Sequence, residues 1–135
     1  MGSEINPMGE GPLEPGAIRF GHIVFAHIPG SGNQACVDPH PAMVLRGPDP
    51  LGDLWLIGIS TQFEPGRLVI ELPWSPEGHP VTGLWKRCAL RCDWIVPWNV
   101  RDIRRRLGIV PSDLAERAVE YVISSVEEKK KATGT

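Results

Sequence analysis

Apolar residues in this chain fall in short blocks separated by glycine and proline, a spacing that predicts many short strands. The first block, His22-Ile23-Val24-Phe25-Ala26-His27-Ile28, is β-branched and aromatic and stops at Pro29-Gly30. Side chains alternate between the faces of a strand, so Ile23 and Phe25 share one face and Val24, Ala26 and Ile28 the other. Apolar character on both faces predicts a central strand. Residues 29–41 carry three prolines, two glycines, Asn33 and Asp38, which predicts a long exposed loop of the kind that often carries function. Ala42-Met43-Val44-Leu45 reads as a second strand, stopped by Gly47-Pro48-Asp49-Pro50. Leu54–Thr61 reads as a third, almost wholly apolar, in which Gly58 marks a bulge or a close backbone approach. Arg67–Leu72 alternates as a fourth, and Trp85–Val96 supplies one or two more before Pro97 ends them.

Helical signals take over in the last third. Val100–Leu107 reads as one short helix ended by Gly108. Pro111-Ser112-Asp113 is a helix start, with proline favoured in the first turn and an acid at the positive end of the dipole. Ala115, Val119, Val122 and Val126 then follow helical spacing with Ala118 beside them, while Glu116, Arg117, Glu120 and Glu127 fall largely opposite. The sum is a mainly β fold, a small antiparallel barrel of five or six strands with a C-terminal helix.

Composition narrows this only a little. A length of 135 residues suits one domain, divided here into a disordered leader (1–17), a barrel domain (18–127) and a frayed basic tail (128–135). No run approaches the ~20 apolar residues of a membrane-spanning helix, and the acidic N-terminus lacks the positive start of a secretory signal. Cys36, Cys88 and Cys92 are too few and oddly numbered for a disulfide framework. Cys88 and Cys92 lie roughly 13 Å apart if extended, at ~3.3 Å per residue, which is beyond disulfide reach. Free thiols in a reducing cytoplasm are expected. The net charge of −2 gives no general attraction to nucleic acid, although Lys86, Arg87, Arg91, Arg101, Arg104, Arg105 and Arg106 concentrate basic character late in the chain. No Walker loop, dinucleotide fingerprint, nucleophile elbow or paired catalytic carboxylates occur, which removes most familiar enzyme classes.

In their order the segments resemble MazF/PemK toxins of type II toxin–antitoxin systems, members of the CcdB/Kid-like superfamily of SH3-like barrels. Gly21-His22-Ile23-Val24-Phe25 is similar to the family's opening Gly-Asp-Ile-Val strand, and Pro39-His40-Pro41-Ala42-Met43-Val44-Leu45 to its Arg-Pro-Ala-Leu-Val-Leu segment. Leu56-Ile57-Gly58-Ile59-Ser60 resembles the apolar strand that ends in a catalytic Thr or Ser. Ala89-Leu90-Arg91-Cys92-Asp93-Trp94-Ile95 and the Leu-Gly turn before Pro111-Ser112-Asp113-Leu114 match the late strand and the ending.

The resemblance, which covers roughly residues 18–126, implies an SH3-like barrel that cuts single-stranded RNA without metal. It also implies a cytoplasmic homodimer blocked by an antitoxin with an acidic tail, with neither membrane nor DNA as partner. In that chemistry the 2′-hydroxyl attacks its own phosphate, leaving 2′,3′-cyclic phosphate and 5′-hydroxyl ends. By the same resemblance His40 replaces the family arginine and Ser60 takes the place of its hydroxyl. Histidine gives up the bidentate phosphate clamp but has an unperturbed pKa near 6.5, suited to acid–base work. The competing readings are a loop histidine without a role, and a strand-end serine that satisfies a turn. Thr61 takes over if the register slips by one, because a slip reverses the face.

Of five tryptophans, at least three are expected to be structural, with Trp74 the first candidate for stacking on a base. Arg87, along with the 101–106 arginines, is a candidate for phosphate or for an acidic antitoxin tail. No cofactor or metal site is expected. His22 and His27 are five apart and fall on opposite faces, and with His79 and Cys36 they lack tetrahedral-site spacing. The alternative function is a non-catalytic barrel that binds a protein partner, an antitoxin or a topoisomerase-like target.

Overall fold

The computed structural model describes residues 17–30, 39–66 and 68–134, with side chains described through Glu127. Residues 1–16 of the leader, residues 31–38 of the first loop with Cys36 among them, Arg67 and Thr135 lie outside the described residues. The elements run β1 (His22–Ala26), β2 (His40–Arg46), β3 (Asp53–Ser60), β4 (Val69–Glu71), β5 (Ala89–Asn99), a 3₁₀ turn (Val100–Asp102), β6 (Arg105–Ile109) and α1 (Ser112–Gly134). The strands form one antiparallel sheet in the order β4-β5-β3-β2-β1-β6, a half-barrel with α1 packed on β5. Mainly β with a C-terminal helix is therefore the architecture.

Alternation along the strands builds two cores, one on each face. On the first, Ile23 of β1 pairs with Met43 of β2, which pairs with Ile57 of β3. All three are fully buried, together with Leu90 and Cys92 of β5 and with Ala115 and Ala118 of α1. On the second face Val24, Ala26, Ala42, Val44, Leu56, Trp94 and Val96 pack with Ile18 and Ile28. Burying each large aliphatic chain stabilises by about 1.5–3 kcal/mol, so both faces contribute. The face assignment read from β1 alone, Ile23 with Phe25 against Val24 with Ala26 and Ile28, matches this partition.

Gly58 shows why the third strand needs a glycine. A Cβ there would run into the Trp94 indole, and the β3–β5 register shifts between Ile57 and Ile59. Trp94 therefore lies flat on bare backbone.

Three sequence readings need correction. The stretch from Val100 to Leu107 is not a helix: after one 3₁₀ turn capped by Asn99, residues 105–109 extend as β6 and pair with β1. Ile103 and Leu107 are both buried, on different faces, and β1 would otherwise be an open edge; pairing overrides the helix propensity of the arginines. Pro97 does not end β5, which continues to Asn99. β4 pairs only with residues 89–91 of β5, so at Pro97 the strand has a single neighbour and a residue without an N–H is tolerated. Finally, α1 turns Leu114, Ala115, Ala118, Tyr121 and Val122 to the core and leaves Val126 exposed with Ile123. Its backbone stays helical to Gly134, through most of the tail.

Candidate active site

β2 begins at the end of the first loop, and its first residue is His40, opposite Ala26 in the register. His40 is half-buried, with its ring edge-on to Trp94 at 5.8 Å between centroids and 74° between planes. Trp94 is itself fixed: it lies over Gly58, and its Nε1 donates to the Pro29 carbonyl at 3.0 Å. One buried indole thus ties both ends of the first loop to the sheet and orients the histidine. This is the structural reason for a glycine in β3 and a tryptophan in β5.

His40 opens onto a cavity of about 220 Å³. Its neighbours there come from β1 (Phe25), the end of β3 (Ile59 and Thr61) and the segment before β5 (Leu84, Trp85, Lys86 and Cys88), with Pro39 and Pro41 beside it. Most of its lining residues are apolar, with Thr61, His40 and Lys86 the polar ones. No carboxylate lines it among the described residues. Arg105 of β6 stacks on one of these lining residues, its guanidinium carbon 5.3 Å from the centre of the Phe25 ring, without itself lining the cavity. Cationic side chains beside apolar surface favour an anionic guest with a planar apolar part.

The sequence candidates are not all in this cavity. Ser60 is half-buried but its hydroxyl donates to the Gln62 carbonyl and accepts from the Gln62 N–H, both at 3.0 Å. That is a strand-end serine closing a turn, and Thr61, one position on, lines the cavity. Trp74 is 43% exposed and does not line the cavity; Trp85 does. Arg87 makes a two-armed ion pair with Glu71 (3.2 and 3.3 Å) and covers the Phe63 ring at 4.8 Å. Its charge is already answered by a carboxylate. Arg104 approaches His27, with Nη1 3.4 Å from Nε2.

His22, His79 and the two described cysteines are engaged in the fold. His22 Nδ1 accepts the Arg19 N–H at 3.1 Å, and its pKa is lowered by burial, then by the Arg106 and Arg19 charges. His79 Nδ1 accepts from the Val81 and Thr82 N–H groups at 3.1 and 3.2 Å. Burial pushes the Cys88 thiol up to about 11, and burial with the Asp93 charge pushes Cys92 up to about 12. Both stay protonated at neutral pH. Among the described residues no three His, Cys, Asp or Glu side chains are grouped to hold a metal.

Phe25, Trp85 and Lys86 were not singled out by sequence as site residues, whereas Arg105 belongs to the 101–106 arginines that were phosphate candidates. The available signal was an aromatic and a cation side by side, Trp85-Lys86, in a turn-rich stretch.

No family model and no curated protein matches the chain. Solved structures do. The Mycobacterium tuberculosis toxin MazF-mt6 is similar over 79% of this chain and 96% of its own, with a TM-score of 0.58 and 18% identity. MazF from Deinococcus radiodurans is similar over 80% and 94%, with a TM-score of 0.58 and 17% identity. An endoribonuclease from a mycobacterial species is similar over 79% and 88%, with a TM-score of 0.57 and 12% identity. With 79–80% of this chain and 88–96% of theirs superposed, this protein has the fold of the MazF toxins.

Proposed function

We propose that the chain is a toxin of the MazF kind, an endoribonuclease that cleaves single-stranded RNA without metal. The observation that carries this is the shared cavity of His40, Thr61 and Lys86, cationic and free of described carboxylates, at the loop end of a MazF fold. In the reaction the O2′–P bond forms as the P–O5′ bond breaks. His40 takes the 2′-proton, and a proton from solvent reaches the leaving 5′-oxygen. The Lys86 ammonium and Thr61 hydroxyl stabilise the charge that grows on the phosphoryl oxygens. Histidine supplies the proton transfer, and lysine the charge that the family arginine brings. Thr61 fits the hydroxyl role better than Ser60, whose hydroxyl is engaged with Gln62.

Relatives of this fold have been solved in complex with a cognate antitoxin, from a mycobacterial species and as MazE–MazF from Deinococcus radiodurans. An antitoxin with an acidic tail, laid along the Lys86 and Arg105 side of the cavity, would exclude RNA. A cytoplasmic homodimer completes this reading. One observation favours the partner-binding alternative: the Ser60 hydroxyl is spent on a turn, and neither Arg87 nor Trp74 faces the cavity.

The test is incubation of the full chain with mixed-sequence RNA in excess EDTA. Cleavage to 2′,3′-cyclic phosphate ends is expected. His40→Ala should lose about 10²–10⁴-fold in rate, the usual worth of a positioned acid–base group. Thr61→Val should be clearly impaired and Ser60→Ala close to wild type. No cleavage by freshly folded protein would leave the partner-binding reading in its place.

A further inference from the structure

We propose that Trp85 is the base-stacking residue of this cavity: an unpaired nucleobase beside the phosphate that meets Lys86 and Thr61 lies against its indole. The inference rests on the ribonuclease reading above and adds to it the group that grips the RNA. Trp85 is 36% exposed and lines the cavity that His40 and Thr61 share. Trp55 and Trp74 are more exposed, at 45% and 43%, yet lie outside it. Trp94 and Trp98 have their Nε1 groups tied to the Pro29 and Asp102 carbonyls.

The indole is held in place. Its ring stands edge-to-face with Phe25, 6.0 Å between centroids and 69° between planes. Its chain neighbour Leu84 is buried at 2% exposure, and the Leu84 N–H donates to Thr82 Oγ1 at 3.2 Å. The Leu84 carbonyl accepts from the Ser75 and His79 N–H groups, both at 3.0 Å. A stacking surface fixed before RNA arrives spares the entropy of ordering it on binding.

Lys86 follows Trp85 in the chain, and Arg105 caps the other aromatic of the pair. Aromatic faces with cations alongside are what single-stranded RNA requires, bases stacking while phosphates meet charge. At about 220 Å³ the cavity suits one planar ring; pockets that enclose drug-sized ligands run to ~300–1,000 Å³.

The experiment measures kcat and KM on a fluorescein-labelled oligoribonucleotide carrying the mapped cleavage site. Trp85→Ala should raise KM about 10-fold, from the usual worth of one stacked base, with kcat changed much less. Trp85→Phe should restore most of the affinity. An abasic nucleotide at one position flanking the cut should raise KM for the wild type, and Trp85→Ala should add nothing on that RNA. A purely structural role would not produce this pairing. Cleavage with KM unchanged in Trp85→Ala overturns the inference and leaves the ribonuclease reading standing. Should Trp85→Ala not fold, the abasic series on wild-type protein decides, and equal KM at every position overturns the inference. Should the wild type not cleave, fluorescence anisotropy with a labelled mixed-sequence RNA decides: binding weakened by Trp85→Ala and kept by Trp85→Phe supports the stacking role, and absent or unaltered binding sinks both readings.

Discussion

At the scale of single residues, Gly58 and His22 matter for what they keep out. Gly58 lets Trp94 lie on the sheet, and Trp94 in turn sets His40. Gly58→Ala forces the indole off its seat, an overpacking that costs about 1–3 kcal/mol. A lowered urea midpoint with an unchanged slope is the expected result, together, on the proposed function, with slower RNA cleavage through a displaced His40. His22 is held neutral, its pKa lowered below 6.5 by burial and by Arg106 and Arg19. The native state then binds fewer protons than the unfolded one, so stability is present above 6.5 and lost as pH falls below it. Denaturant midpoints at about pH 7.5 and about pH 5.5 should therefore differ, and His22→Gln should flatten that difference by removing the titration. Residue chemistry was the least legible layer of this chain in advance. A histidine between two prolines stood out; that Thr61 and not Ser60 lines a cavity with it depends on how β3 ends, which a one-residue slip reverses.

Among the elements, the strands with apolar alternation were readable and those fixed by pairing were not. β1, β2 and β3 appear within two residues of their sequence bounds because both of their faces are packed. β6 was invisible: a run of arginines carries no period-2 pattern, and only the open edge of β1 makes it a strand. Pro97 misled for a related reason, since a proline ends a strand only where its missing N–H would have been used. β6 also explains how the turn before Trp85 is held. A Cβ at Gly108 would run into the Val81 and Thr82 backbone, and the Ile109 N–H donates to the Val81 carbonyl at 3.0 Å. Gly108→Val should push that turn away from the sheet. Faster amide hydrogen exchange at Ile109 and at Leu84 is the expected sign, with exchange in β3 unchanged.

For the whole molecule, one sheet serves two cores. Met43 and Leu56 sit on adjacent paired strands but point to opposite sides, Met43 toward α1 and Leu56 toward Trp94. If the halves were separate bodies, loosening one would leave the other intact. They share every strand from β1 to β3, however, and a strand cannot keep its ladder while the residues on one of its faces lose their packing. Met43→Ala and Leu56→Ala should each lower stability by about 2–5 kcal/mol, the usual cost of emptying a buried aliphatic site. In both variants tryptophan fluorescence, dominated on the second face by Trp94, and helix signal from α1 on the first should report one coincident transition in urea. Two transitions separated in denaturant would mean that the faces unfold independently. His40, oriented by Trp94 from the second core, and Thr61, beyond Ile59 of the first, would then be held by different bodies. On the proposed ribonuclease reading they are held by one body, because a site whose two groups must meet one phosphate tolerates little play between them.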